Sequence, residues 1–126
     1  MIGDTNELRG MANYSSRGYE IFIPTGNSRA DFIAVKDTSV IRVQVKTVSQ
    51  RKYKDTIYEL AVLTTTRNGR STPYRPDEID EFYITSDTKA WVIPNLEVYP
   101  SKTIMLSSNS EHYKPRHGYD VARWEL

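Results

Sequence analysis

The sequence has no cysteine, only two histidines, and an almost balanced charge of 17 Lys and Arg against 16 Asp and Glu. The first absence removes disulfides, thiolate zinc sites, a thiol nucleophile and nearly all redox chemistry. Any metal must therefore be held by oxygen or imidazole. His112 and His117 stand five apart with Pro115 between them, which is not a helical ligand pair. Both are read as structural or phosphate-contacting. There is no Gly-rich phosphate loop and no Ser/His/Asp arrangement. No apolar run approaches a membrane span, and the polar start Met1–Arg9 does not resemble a signal peptide, so a soluble, cytoplasmic protein with no membrane partner is expected. A length of 126 residues allows one core, hence one domain over 1–126 and one site.

A net charge of +1, taken as a sum, argues against a strongly electrostatic nucleic-acid binder. The distribution says more. Arg51, Lys52 and Lys54 form one cluster and Arg67, Arg70 and Arg75 the next, while acids collect between Asp77 and Glu81. Tyr53 and Tyr74 lie among these basic residues, as on surfaces that stack bases and contact phosphates. Tyrosine also packs half-buried sheets, so the pattern has a plainer reading as well.

Leu8, Met11 and Ala12 fall at helical spacing, and Gly18 suits a helix end, which predicts an opening helix from about Asp4 to Ser16. A short strand follows over Tyr19–Ile23, closed by Pro24 and the turn Thr25–Ser28. Strands are predicted over Asp31–Val35 and Val40–Val48, with Lys36–Ser39 as the turn of a hairpin. Ile41, Val43 and Val45 then share one face of the second strand, and Arg42, Gln44 and Lys46 the other. Thr56–Thr66 reads as a further strand, Arg67–Arg75 as a polar loop, and Pro76–Asp80 as a short helix. Strands over Glu81–Thr85, Ala90–Ile93 and Thr103–Leu106 precede a terminal helical turn packed by Trp124. This order predicts an α/β domain on a central mixed sheet.

The chemistry concentrates in two segments, Ser28-Arg29-Ala30-Asp31 and Gln44-Val45-Lys46. Adjacent strands joined by a tight turn would bring Asp31 close to Gln44 and Lys46. A carboxylate and an amide carbonyl are plausible ligands for Mg²⁺, which prefers hard oxygen donors. Lys46 would orient the attacking water or offset the charge developing on a phosphate. The plainer readings are an Asp that starts a strand and a Gln and Lys that pair structurally on a central strand.

These residues resemble the PD-(D/E)XK nuclease superfamily, whose signature is an acid, a hairpin, and an acid-x-Lys on the second strand. In that resemblance Asp31 is the first acid and Gln44-Val45-Lys46 the second element. Glu7, on the preceding helix, matches an additional metal-binding acid of many members, although a lone helical Glu is usually a solvated surface residue. The resemblance implies a restriction-endonuclease-like mixed sheet flanked by helices and a DNA endonuclease using Mg²⁺, with Mn²⁺ able to substitute. Glu7, Asp31 and Gln44 would bind the metal, with Lys46 completing the catalytic set. Gln in place of an acid is similar to group I intron-encoded homing endonucleases of this fold more than to archaeal-type Holliday junction resolvases. The expected partner is double-stranded or branched DNA, contacted by Ser28, Arg29, Arg51, Lys52, Tyr53, Lys54, Arg67, Arg70 and Arg75. Two strands need two sites, so a homodimer or homotetramer is expected. A non-catalytic DNA-binding module with an eroded metal site is one rival reading, and a protein-interaction domain is another.

Overall fold

The computed structural model describes residues 5–109 and 119–126, so His112 and His117 lie outside the described residues. The opening helix α1 spans Thr5–Ser16, and Gly18, at φ +93°, takes the left-handed conformation that ends it. Its buried residues are Gly10 and Tyr14, while Leu8 is 53% exposed and Ala12 is also exposed. The face turned to the sheet is therefore rotated from the one expected. Gly10 is the reason: a Cβ there would stand 3.0 Å from a Tyr83 ring carbon and 3.3 Å from one of Phe32. Without it, the helix backbone rests directly on the sheet.

Among the described residues ten strands follow: β1 (Glu20–Phe22), β2 (Phe32–Lys36), β3 (Ser39–Thr47), β4 (Ser49–Tyr53), β5 (Thr56–Val62), β6 (Thr64–Arg67), β7 (Arg70–Pro73), β8 (Glu81–Thr85), β9 (Ala90–Pro94) and β10 (Thr103–Ser108). A short helix α2 (Asn95–Val98) follows β9, and a 3₁₀ turn (Val121–Trp124) forms the expected terminal turn. Trp124 packs against the core, partly buried. The central sheet has the order β1-β2-β3-β8-β9, antiparallel except for the parallel pair β3–β8. This is the α/β, mixed-sheet architecture of the restriction-endonuclease-like fold.

Alternation along these strands divides two cores. Phe32, Ala34, Val43, Val45 and Tyr83 meet Tyr14 of α1 on one face. On the other, Phe82, Ile84, Trp91 and Ile93 meet Ala61, Leu63, Ile104 and Leu106. The second face is thus covered by the sheet β10-β5-β4 and not by a long helix. No helix among the described residues is long and apolar enough to cross a membrane.

Three segments differ from expectation. The run Thr56–Thr66 breaks at Leu63, whose N–H bonds Lys102 O at 2.8 Å and whose side chain, 1% exposed, drops into the core. The expected loop Arg67–Arg75 contains β7, because Asn68 and Gly69, at φ +49° and +75°, form a two-residue turn whose twist suits a hairpin. Pro76–Asp80 forms one hydrogen-bonded turn, with Glu78 N and Ile79 N both donating to Arg75 O, in place of a helix. Arg42 stops it there. Its guanidinium grips both carboxylate oxygens of Asp80, at 2.8 and 2.9 Å, and also donates to Asp77 O. Asp80 N returns a bond to Arg42 O, so the turn runs straight into β8 beside β3.

Candidate active site

Asp31 stands one residue before β2 and is fastened to β3 through two atoms. Its N–H donates to Val43 O, and its Oδ2 accepts from Val45 N, both at 2.8 Å. The Gln44 side chain leaves β3 between those two anchors. Gln44 and Lys46 share a face by strand alternation, opposite the buried Val43 and Val45. The Gln44 amide makes one long contact, Nε2 to Val45 O at 3.4 Å.

Lys46 Nζ lies 3.3 Å from both Thr64 O and the Tyr74 hydroxyl, and 4.8 Å from the centre of the Tyr74 ring. Tyr74 is 6% exposed and Tyr53 57% exposed. The two tyrosines grouped together by sequence thus have different places. Tyr74 holds the lysine from within the core, and Tyr53 alone of the two could stack on a base.

Glu7 reaches the same point from α1. Its carboxyl lies near enough to that of Asp31 to help raise the Asp31 pKa. Asn6 Nδ2 donates to Thr47 Oγ1 at 2.9 Å and Arg9 to Ser86 O at 3.0 Å, so the first turn of α1 is tied to the ends of β3 and β8. With Gly10 seated on the sheet, those ties bring Glu7 down onto Asp31.

The Asp31 carboxyl is pushed up from 3.8 to about 6. Burial is the largest cause, and the neighbouring Glu7 carboxyl adds to it, against the opposing pull of the Val45 N–H and of Lys46. A folded-state value above the unfolded one means that ionised Asp31 is disfavoured in the metal-free fold. Its stabilising contribution is complete below pH 3.8 and is lost as pH rises through about 6. Asp31→Asn is accordingly expected to stabilise the metal-free protein at pH 7.5 by about 1–2 kcal/mol, allowing for solvent at a half-buried carboxyl. The gain should vanish below pH 4. Urea unfolding of both proteins in EDTA across this range checks it, and equal stability at pH 7.5 would show that the carboxyl is not held under strain.

These oxygen donors suit a hard divalent cation: two carboxyls pressed together, and an amide whose strand position lies between the anchors of one of them. The described residues hold no cluster of three or more His, Cys, Asp or Glu.

A family model described as PD-(D/E)XK endonuclease matches residues 1–126. The chain belongs to the PD-(D/E)XK endonuclease family. A solved bacterial homing endonuclease, I-Ssp6803I, superposes with a TM-score of 0.74 over 98% of this chain and 86% of its own, at 18% identity. At that identity the likeness carries the fold alone. No curated protein matches the chain in sequence. PD-(D/E)XK nucleases generally use divalent metals.

The remaining residues expected to contact DNA in this PD-(D/E)XK chain separate by environment. Arg51, Lys52, Tyr53 and Lys54 are exposed on β4, an edge strand, and on its turn. Ser28 Oγ accepts from Ala30 N at 3.1 Å, an ordinary turn bond. Arg29 donates to Thr65 Oγ1 at 2.8 Å, and Arg67 pairs with Glu78, which lies 4.0 Å from Arg29. Arg75 pairs with Asp77 at 3.1 Å, and Arg70 is exposed at the end of its hairpin. Sequence reasoning missed the Arg42–Asp80 clamp, the part of Glu78 in holding two arginines, and Tyr74 under Lys46. Each joins residues too far apart in the chain for any local pattern to relate them.

Proposed function

We propose that this protein hydrolyses DNA phosphodiester bonds as a Mg²⁺-dependent endonuclease, Mn²⁺ being able to substitute, and that it does so at specific sites as a homing endonuclease. The observation that carries the reading is the meeting of Glu7, Asp31 and Lys46 at the strand that bears Gln44. Family membership supports the class of reaction.

Asp31, Glu7 and the Gln44 carbonyl would hold the cation, which supplies a Lewis acid for the phosphate and a more acidic water. Asp31 is fixed in advance, because the Val45 N–H and the Val43 carbonyl hold it at both its carboxylate and its backbone. Lys46 provides positive charge for the phosphate oxygens as negative charge builds up on them. Its two hydrogen-bonding neighbours, both at 3.3 Å, are a backbone carbonyl and a hydroxyl. The exposed basic residues of β4 and its turn would contact the DNA backbone. One domain carries one such site, so a homodimer or homotetramer would cut both strands, inside the cell that holds the DNA.

The test is cleavage of linear genomic duplex and of a synthetic four-way junction, each in Mg²⁺ and in EDTA. Discrete cuts in the duplex in Mg²⁺ only are the expected result. Cutting confined to the junction would replace homing by resolution of branched DNA. Binding without any cutting would make the chain a non-catalytic DNA-binding module.

A further inference from the structure

Between Leu63 and Tyr74 the chain makes a ten-residue excursion, Thr-Thr-Thr-Arg-Asn-Gly-Arg-Ser-Thr-Pro. Leu63 and Tyr74 belong to the core, and no residue from 64 to 73 does. The excursion is the hairpin β6–β7, a two-stranded sheet paired with no other strand. A segment that contributes nothing to the core and is still well formed calls for another use.

The hairpin has two faces. The register Thr65↔Thr72 and Arg67↔Arg70 puts one set together, and Thr64↔Pro73 and Thr66↔Ser71 the other. The first face is turned inward at its base. Arg29 donates to Thr65 Oγ1, Arg67 Nε donates to Thr72 Oγ1 at 3.1 Å, and Glu78 holds Arg67. These bonds order the ribbon before any partner arrives. On the second face Thr66 and Ser71 are exposed, and the tip adds Asn68 and Arg70, also exposed. The outward surface is therefore hydroxyls, an amide and a guanidinium, which are the donors and acceptors that read base edges.

Its position matters as much as its chemistry. Thr64 O, at the base of the ribbon, lies 3.3 Å from Lys46 Nζ. A groove of about 390 Å³ opens at another side of the site, beyond Thr47 and Asn6, but its charged lining residues are Glu59 and Asp87. Acids there repel a phosphate backbone, whereas the ribbon side offers Arg70.

We infer that the β6–β7 ribbon enters the major groove of the DNA and reads base pairs there with Thr66, Asn68 and Ser71. The inference rests on the endonuclease reading above. A two-stranded ribbon fits the major groove, and four residues at about 3.4 Å each reach roughly four base pairs from the scissile phosphate.

The test uses a pool of duplexes with random central sequence, cut in Mg²⁺ by the full-length protein, with the cut ends sequenced. The parent should show base preferences within about four base pairs of the cut. The triple variant Thr66→Ala, Asn68→Gly, Ser71→Ala should lose them by about fivefold or more at those positions, and preferences farther away should persist. Glycine is chosen at 68 because φ +49° there strains most other side chains. A second variant, Thr66→Ser with Ser71→Thr, keeps both hydroxyls and should keep a preference. Equal flattening in this conservative variant would assign the ribbon a structural role and overturn the inference. So would an Ala/Gly/Ala variant that cuts with the parent's preferences. A parent that leaves no cut ends would remove the endonuclease reading and this inference with it, which separates the two failures.

Discussion

Lys46→Ala is expected to lower the single-turnover rate of DNA cleavage by about 10³-fold, since in the proposed site it removes the ammonium that would offset charge developing on the phosphate. Asp31→Ala should cost at least as much, because it removes the carboxylate best positioned to hold the cation. Neither change touches the apolar core, so circular dichroism should be unaltered and a gel-shift assay in Ca²⁺ should still show DNA binding. For Lys46 the Tyr74 hydroxyl loses only a 3.3 Å contact, and the tyrosine stays packed against Phe82. A rate within tenfold of the parent for either variant would show that the chemistry lies elsewhere.

In the proposed site Gln44 takes the place of the second acid of the motif, and its substitution should have the next largest effect. An amide carbonyl can ligate a divalent cation but brings no formal charge, so it contributes less electrostatic attraction than a carboxylate would. Gln44→Ala is expected to reduce cleavage by about 10²-fold at every Mg²⁺ concentration, since it removes the ligand itself. Gln44→Glu should retain part of the activity and reach half of its own maximum at lower Mg²⁺. Its maximal rate need not rise, because a more tightly held ion can misalign water and phosphate. A third carboxylate beside the strained pair also has a cost, and metal-free Gln44→Glu should be less stable than the parent above pH 6. Mg²⁺ titrations of single-turnover cleavage for the three proteins decide the matter. Full activity in the alanine variant would take position 44 out of the metal environment.

Much of the central sheet is legible in the sequence because its strands obey a local rule. Ile41, Val43 and Val45 alternate with Arg42, Gln44 and Lys46, and the structure puts the first three against α1. The hairpin from Asp31 to Lys46 follows from a tight turn between two β-rich runs. What could not be read depends on partners distant in the chain. β4 has no apolar alternation in Ser-Gln-Arg-Lys-Tyr and exists because β5 pairs with it. β7 is polar throughout apart from its proline, and only the Asn68-Gly69 turn marks it. The turn at 76–80 looked helical from its proline and early acids, but Arg42, 38 positions from Asp80, overrides that preference. For the site, the motif pointed to Asp31 and Lys46, and helical placement to Glu7. Their meeting depends on how closely α1 lies on the sheet, which no spacing in the sequence reports.

That closeness rests on the hydrogen atom that stands in for a side chain at Gly10. The distance between the two carboxyls is thereby a property of helix packing and not of the carboxyl residues themselves. A methyl group added three positions from Glu7 would lift the helix by a few tenths of an ångström and carry the Glu7 carboxyl with it, while leaving Asp31, Gln44 and Lys46 in place. In the proposed site the spacing of Glu7 and Asp31, and with it the radius of the cation they would hold, is set one layer behind the carboxyls, by the fit between helix and sheet.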